Sequence, residues 1–222
     1  MANADVYLID IDGRTLLAKT YAGNPRWARC LFGYLGLARE CRAMASLAGL
    51  PGVPRVYGIA NGDTLLTDYV ADATALVARR EMTEDEFPPL AFFQRLRALV
   101  SAMHQSGIAH GDMRRSNILR TSEEQPFLID FTTAVRWRKL NPLSRLLFHA
   151  VQRADDFAVA KLQASFYPDS LSDEERQRIL DKPWYLSLGR FLRKRVYRKW
   201  IKQRRWRERL VAWRRSLAKQ QD

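Results

Sequence analysis

The chain has 222 residues, 47% of them apolar, enough to bury one core or one domain of two lobes but a squeeze for two full domains. The net charge of +13 is concentrated: Arg190 to Asp222 holds 14 basic residues against 2 acidic ones, leaving 23 against 22 before it, so a near-neutral body carries a cationic arm. No basic leader followed by an apolar run opens the sequence and no run of about 18 apolar residues occurs, so a cytosolic chain, or one attached to a membrane from the cytosolic side, is expected.

Taken in chain order, Val6 to Asp10 and Thr15 to Tyr21 are β-rich runs around Asp12-Gly13, a strong two-residue hairpin signal. From Trp27 to Ala48 the apolar residues Leu31, Leu35, Ala38, Met44 and Leu47 recur at spacings of three and four, which predicts a helix. The two cysteines, Cys30 and Cys41, fall in that segment, where their geometry is poor for a bridge, and free thiols are expected. Val56 to Ile59 and Thr64 to Tyr69 predict a second hairpin around Asn61-Gly62-Asp63, and Ala71 to Ala75 reads as a linker. Phe87 to Gln105 predicts a core-facing helix, with Leu90, Phe93, Leu96, Leu99, Val100 and Met103 on one stripe. Short strands are predicted at Asn117 to Arg120 and Pro126 to Phe131. Helices follow at Leu143 to Val151, Asp156 to Phe166 and Asp173 to Leu180, the last opened by a capping box of Ser172 and Glu175.

This order predicts an α+β fold in two lobes: residues 1–70 as a β-rich lobe with one helix, 71–187 as a helical lobe, and 188–222 as a basic amphipathic helix or tail. A cleft between lobes is the default ligand site.

The most informative segment is Ile108-Ala-His-Gly-Asp-Met-Arg-Arg-Ser-Asn-Ile-Leu-Arg120, followed by Phe127-Leu-Ile-Asp-Phe-Thr132. It resembles the catalytic core of the protein-kinase-like superfamily, in the His-Gly-Asp-x-x-x-x-Asn form shared by RIO-type kinases, aminoglycoside phosphotransferases and lipopolysaccharide-core kinases. That resemblance implies phosphoryl transfer from ATP with Mg²⁺, for which the chemistry needs a carboxylate to take the proton of the attacking hydroxyl and oxygen ligands to fix the metal on the phosphates. Asp112 is the implied base, and Asn117 and Asp130 the implied metal ligands. Lys19, in Leu16-Leu-Ala-Lys-Thr20, resembles the lysine that meets the phosphates, with Glu40 as its partner. Thr67-Asp68-Tyr69-Val70 occupies the place of the hinge where backbone groups would meet adenine. His110 is expected to pack and hydrogen-bond rather than bind metal. A buried aspartate that supports the catalytic loop is expected within Arg153-Ala-Asp-Asp-Phe157, and Asp156 is assigned that place ahead of Asp155, although either also suits a helix cap.

Three departures stand out. No Gly-x-Gly-x-x-Gly loop precedes Lys19, and the 18 residues before it leave room for one hairpin only, so the cover over the phosphates is reduced or absent. The second strand motif ends Asp-Phe-Thr instead of Asp-Phe-Gly, which disfavours a glycine-dependent flip. Gly111 stands where regulated protein kinases carry an arginine, so control by activation-loop phosphorylation is not expected.

Over about residues 5–165 the chain is most similar to the Kdo and heptose kinases of bacterial lipopolysaccharide core assembly. The residues behind this are Arg39-Glu-Cys-Arg-Ala-Met-Ala-Ser-Leu-Ala-Gly-Leu-Pro-Gly-Val-Pro-Arg-Val-Tyr-Gly58, His110-Gly-Asp112 and Ile129-Asp-Phe131. This implies a peripheral enzyme on the cytosolic face of the inner membrane with a glycolipid sugar as acceptor. A RIO-like kinase acting on a protein hydroxyl, or a kinase-shaped binding module with little turnover, is the alternative. In the tail, Leu188, Phe191, Leu192, Val196, Trp206, Leu210, Trp213 and Leu217 fall on one side of a basic helical projection. Residues 188–217 thus suit an anionic membrane surface, a helix packed on the body, or nucleic acid.

Overall fold

The computed structural model describes residues 4–25 and 34–180. The cationic tail, Cys30 and the start of the predicted helix at Trp27 lie outside these residues. Strands β1 (Asp5–Ile11) and β2 (Arg14–Thr20) form the first hairpin. Its turn is Asp12-Gly13, both left-handed (φ 53° and 73°), which matches the twist of the flanking strands. Strands β3 (Val56–Ala60) and β4 (Thr64–Asp68) form the second, and β2 pairs with β4, so the four-stranded antiparallel sheet has the order β1-β2-β4-β3. Strand β2 alternates as a half-buried strand should: Leu16, Ala18 and Thr20 are buried, and Lys19 lies on the other face.

Helix α1 (Leu35–Ser46) packs Leu37, Glu40, Ala43 and Met44 inward at helical spacing. A tight turn follows, and its Gly52 carbonyl accepts the Leu128 N–H at 2.8 Å. The segment read as a linker is not simply a linker: β5 (Ala73–Ala75) joins β7 (Ile118–Thr121), which pairs with β8 (Pro126–Leu128). Three small residues carry too little periodicity to announce a strand, and the pairing edge is more than forty residues away.

Helix α2 (Leu90–Gln105) buries Phe92, Phe93, Leu96, Leu99, Val100 and Met103 as the centre of the core. It starts later than Phe87 because Phe87 and Pro88 each precede a proline and are pushed out of the helical region, and Pro89 becomes the N-cap. Two more short strands, β6 (Ile108–Ala109) and β9 (Val135–Arg136), pair antiparallel. The two helices expected across 143–166 are one, α3 (Pro142–Phe166). No glycine or proline interrupts Arg153-Ala-Asp-Asp156, and Asp155 there accepts backbone N–H groups of another segment instead of ending the helix. Helix α4 (Asp173–Leu180) opens with the expected box: the Glu175 carboxylate accepts from Ser172 N–H at 3.2 Å and the Ser172 hydroxyl from Glu175 N–H at 3.3 Å. Among the described residues no helix is long and apolar enough to cross a membrane.

A Cβ on Gly52, whose φ is +91°, would meet Leu99 Cδ2 at 2.6 Å and the Pro126 carbonyl oxygen at 2.8 Å. Gly52→Ala is therefore expected to destabilise the protein by about 3 kcal/mol, read as a lower urea midpoint at unchanged slope.

Candidate active site

Strand β6 delivers the chain into His110-Gly111-Asp112, and a single turn of 3₁₀ helix at Arg115–Asn117 carries it on into β7. This loop hangs from one carboxylate. Asp155 of α3, with 1% of its surface exposed, accepts the His110 N–H at 2.7 Å and the Gly111 N–H at 2.9 Å, and His104 Nε2 of α2 lies 3.3 Å away. The support assigned to Asp156 thus falls to its neighbour. One residue further along a helix turns the side chain by about 100°, and Asp156 is 60% exposed, its carboxylate 3.6 Å from His104 Nδ1.

His110 is fully buried, its ring tilted at 54° against Phe131 with the centroids 4.7 Å apart. Its Nδ1 accepts the Asp112 N–H at 3.3 Å, which leaves Nε2 to carry the proton and donate to the Ile129 carbonyl at 3.0 Å. The imidazole is a strut between the loop and the end of β8. Gly111 is left-handed (φ 80°), and a Cβ there would stand 3.0 Å from the Thr133 carbonyl oxygen. This is a backbone reason for glycine at this position.

Asn117 is buried and donates through Nδ2 to the Asp112 carbonyl at 3.0 Å and to Asp112 Oδ2 at 3.3 Å. Arg114 Nη2 approaches the same Oδ2 at 2.8 Å, with the guanidinium more than half exposed. The Asp112 carboxylate is therefore aimed by two donors, one buried and one at the solvent edge.

A second group assembles from distant parts of the chain. Lys19 Nζ of β2 lies 2.8 Å from Glu40 Oε2 of α1 and 3.0 Å from Asp130 Oδ1. Thr132 Oγ1 stands 3.3 Å from Lys19 Nζ, 3.0 Å from Glu40 Oε2 and 2.6 Å from Asp130 Oδ1. Its single proton goes to one carboxylate while its lone pairs accept from the ammonium. Burial alone would pull the Lys19 pKa down, but Glu40 and then Asp130 outweigh it and leave it raised. For Asp130, burial pushes upward and is outweighed by the charge of Lys19 and the bonds from Thr132 and Lys19, so its pKa is lowered. Asp130 sits in the left-handed region at φ 65°, which turns its carboxylate out of the strand direction.

Backbone bonds join the two groups. The Ile129 N–H donates to the Asn117 carbonyl at 3.0 Å, and the Ile129 carbonyl accepts from His110. The residue before Asp130 is thus bonded to the loop that carries Asp112. Asp130 Oδ2 has no hydrogen-bond partner among the described residues, and the only donor at Asn117 Oδ1 is Ser116 Oγ at 3.3 Å. These are hard oxygen atoms of the kind Mg²⁺ takes. Among the described residues no cluster of three or more His, Cys, Asp or Glu could hold a metal. A cation here would draw the rest of its shell from phosphate or water.

Asp68, Tyr69 and Val70 lie at and just beyond the end of β4, and no hydrogen bond among the described residues joins their side chains to either group. The Asp68 carboxylate accepts from Tyr57 Oη at 2.8 Å and from the Arg55 N–H at 3.3 Å, and Tyr69 is exposed. His104, Arg114 and Thr132 are the site residues that sequence reasoning passed over, and Asp155 was weighed and placed second to Asp156. The signal for Thr132 was present in the Asp-Phe-Thr ending, which was read for the glycine it lacks and not for the hydroxyl it adds.

Two comparisons with known proteins bear on this arrangement. The sequence profile of the RIO domain matches residues 34–152, a stretch that takes in Glu40, Asp112, Asn117 and Asp130 and leaves out Lys19 and Asp155. The chain is also 35% identical over 102 residues to the EKC/KEOPS complex subunit BUD32 of Encephalitozoon cuniculi, 46% of this chain and 48% of that protein. It thus spans about half the length of the curated relative it matches. Neither match points to the lipopolysaccharide-core kinases.

Asp155→Ala is expected to lower stability by about 3 kcal/mol, because two loop N–H groups and His104 lose their acceptor, and Asp156→Ala by less than about 1 kcal/mol. Thermal unfolding of the two variants reads the difference. Since Lys19 is held above its ordinary 10.5, its stabilisation is complete below that pH and fades as pH climbs through the folded-state value. Since Asp130 is held below its ordinary 3.8, its share is complete above that pH and fades as pH falls through the folded-state value. The loss of stability in Lys19→Met should therefore be flat from about pH 5 to 9 and shrink on either side, as followed by urea unfolding across pH.

Proposed function

This chain belongs to the RIO domain family, and on that premise we propose that it is an ATP- and Mg²⁺-dependent phosphotransferase acting on a hydroxyl group. The observation that carries the reading is the meeting of Lys19, Glu40 and Asp130 at 2.8–3.0 Å, bonded through Ile129 to the loop of Asp112 and Asn117. A module without turnover has no need of all five.

Each role follows from position. Asp112, aimed by Asn117 and Arg114, accepts the hydroxyl proton as the new P–O bond forms and the bond from the γ-phosphorus of ATP to its bridging oxygen breaks, with ADP as the leaving group. The exposed Arg114 guanidinium beside it offers a cation to a phosphoryl group in transfer. Lys19, positioned by the buried Glu40, would be the partner for phosphate oxygens, and Asp130 and Asn117 would supply oxygens to Mg²⁺. When bound, the metal neutralises charge on the phosphates. The cover over the phosphates is a single hairpin with a two-residue turn, so affinity for nucleotide rests mainly on Lys19 and the metal ligands. Asp68, Tyr69 and Val70 would meet the base through backbone groups.

For the acceptor, the RIO family match favours a serine or threonine hydroxyl of a protein. The glycolipid sugar suggested by resemblance to lipopolysaccharide-core kinases has no support from the comparisons. The relative is named as a subunit of a complex, and a protein-assembly setting for this chain belongs to the same proposal.

Full-length protein with Mg·ATP is expected to show a rise in melting temperature that disappears in Asp130→Ala. Phosphate transfer, to itself or to a supplied protein, should fall about 10²- to 10⁴-fold in Asp112→Asn with the nucleotide-dependent rise kept. No rise in the wild type would sink the nucleotide reading. A rise without any transfer would leave a binding module.

A further inference from the structure

From Phe131 to Ala154 the chain runs 24 residues without an acidic side chain. In that stretch Arg136, Arg138, Lys139, Arg145 and Arg153 are all exposed. Among the described residues none of the five forms an ion pair. The same stretch holds the three most exposed leucines of the described residues, Leu140 at 96%, Leu143 at 71% and Leu146 at 69%, together with Leu147 at 50% and Trp137 at 43%. Helix α3 is thus apolar on two sides. Phe148, Val159 and Phe166 serve the core on one side, while Leu143, Leu146 and Leu147, at spacings of three and four, form a stripe on the other. An exposed apolar stripe rimmed by cations marks a docking face.

Charge narrows what docks there. The tail from Arg190 is strongly basic and would be repelled, and a second copy would bring the same cations to the same face. The occupant is anionic. Its apolar contact is a leucine standing almost wholly clear of its neighbours, in the turn before α3. A protein partner would need a pocket shaped for Leu140, whereas acyl chains admit it without one and set phosphates level with the flanking guanidinium groups.

We infer that the face made by Trp137, Leu140, Leu143, Leu146 and Leu147 lies on an anionic membrane surface, the leucines below the headgroups and the neighbouring cations Arg136, Arg138 and Lys139 on lipid phosphates. In the sequence this segment is distinct from the basic stretch that begins at Arg190. The face is tied to the candidate active site through backbone, because Trp137 N–H donates to the Gly107 carbonyl at 2.8 Å and β9 pairs with β6, the strand that enters His110-Gly111-Asp112. Docking needs no nucleotide and stands or falls apart from phosphoryl transfer.

The test floats full-length protein with vesicles of phosphatidylcholine alone and of phosphatidylcholine mixed with phosphatidylglycerol, without ATP. Partition onto the anionic vesicles should exceed that onto neutral ones at least tenfold. It should drop at least tenfold in the triple variant Leu140→Ser, Leu143→Ser, Leu146→Ser, which keeps every charge and touches no core position, with circular dichroism to check the fold. A second readout separates this face from the tail: an environment-sensitive dye on Leu140→Cys, in a Cys30→Ser, Cys41→Ser background, should shift to the blue with anionic vesicles. The inference is overturned by a wild type that does not float, by a triple variant that floats as well as the wild type, or by a dye that keeps its aqueous emission on the vesicles. A dye that shifts with a soluble acidic protein and not with lipid would assign the face to a protein partner and overturn it equally.

Discussion

A carboxylate taken out of water must be met by donors, and Asp155 is met by three: two consecutive backbone N–H groups and one imidazole. Much of the rest depends on this arrangement. It fixes the loop from α3, a helix 25 residues long that is itself anchored in the core by Phe148, Val159 and Phe166. With the loop backbone held, His110 is placed to brace Ile129, and Asn117 to aim Asp112. The strong element holds the weak one, which allows an irregular loop to keep a defined geometry.

Lys19 plays the matching part on the sheet side. Its ammonium gathers carboxylates from α1 and from the end of β8, two segments ninety residues apart in the chain. Glu40 and Asp130 would repel each other without it. The cluster therefore joins the β-sheet lobe to the helical lobe by charge as well as by apolar packing. Raised and lowered pKa values on the two partners are the signature of that mutual dependence.

Much of this was legible in the sequence. Lys19, Glu40, Asp112, Asn117 and Asp130 were singled out by resemblance to protein-kinase-like motifs, and the hairpin at Asp12-Gly13 and the stripe of α2 from local pattern. What was not legible depends on long-range pairing or on helical phase. Strand β5 is three small residues with a distant partner, and β6 with β9 are two residues each. The choice between Asp155 and Asp156 turned on which face of α3 meets the loop, and that phase became visible only once the supposed break in the helix proved to be continuous. Thr132 was read as an absence because the familiar residue at its place has no side chain.

That threonine has a consequence of its own. Its hydroxyl lies within hydrogen-bonding distance of Glu40, Asp130 and Lys19 at once. Swinging the segment outward would take away the one hydroxyl proton that Glu40 and Asp130 compete for and leave a polar branch with nothing to meet. Where a bare glycine gives a latch with two positions, this chain has a rivet. The machinery is built in a single setting, and the timing of its work is left to whatever brings the acceptor to it.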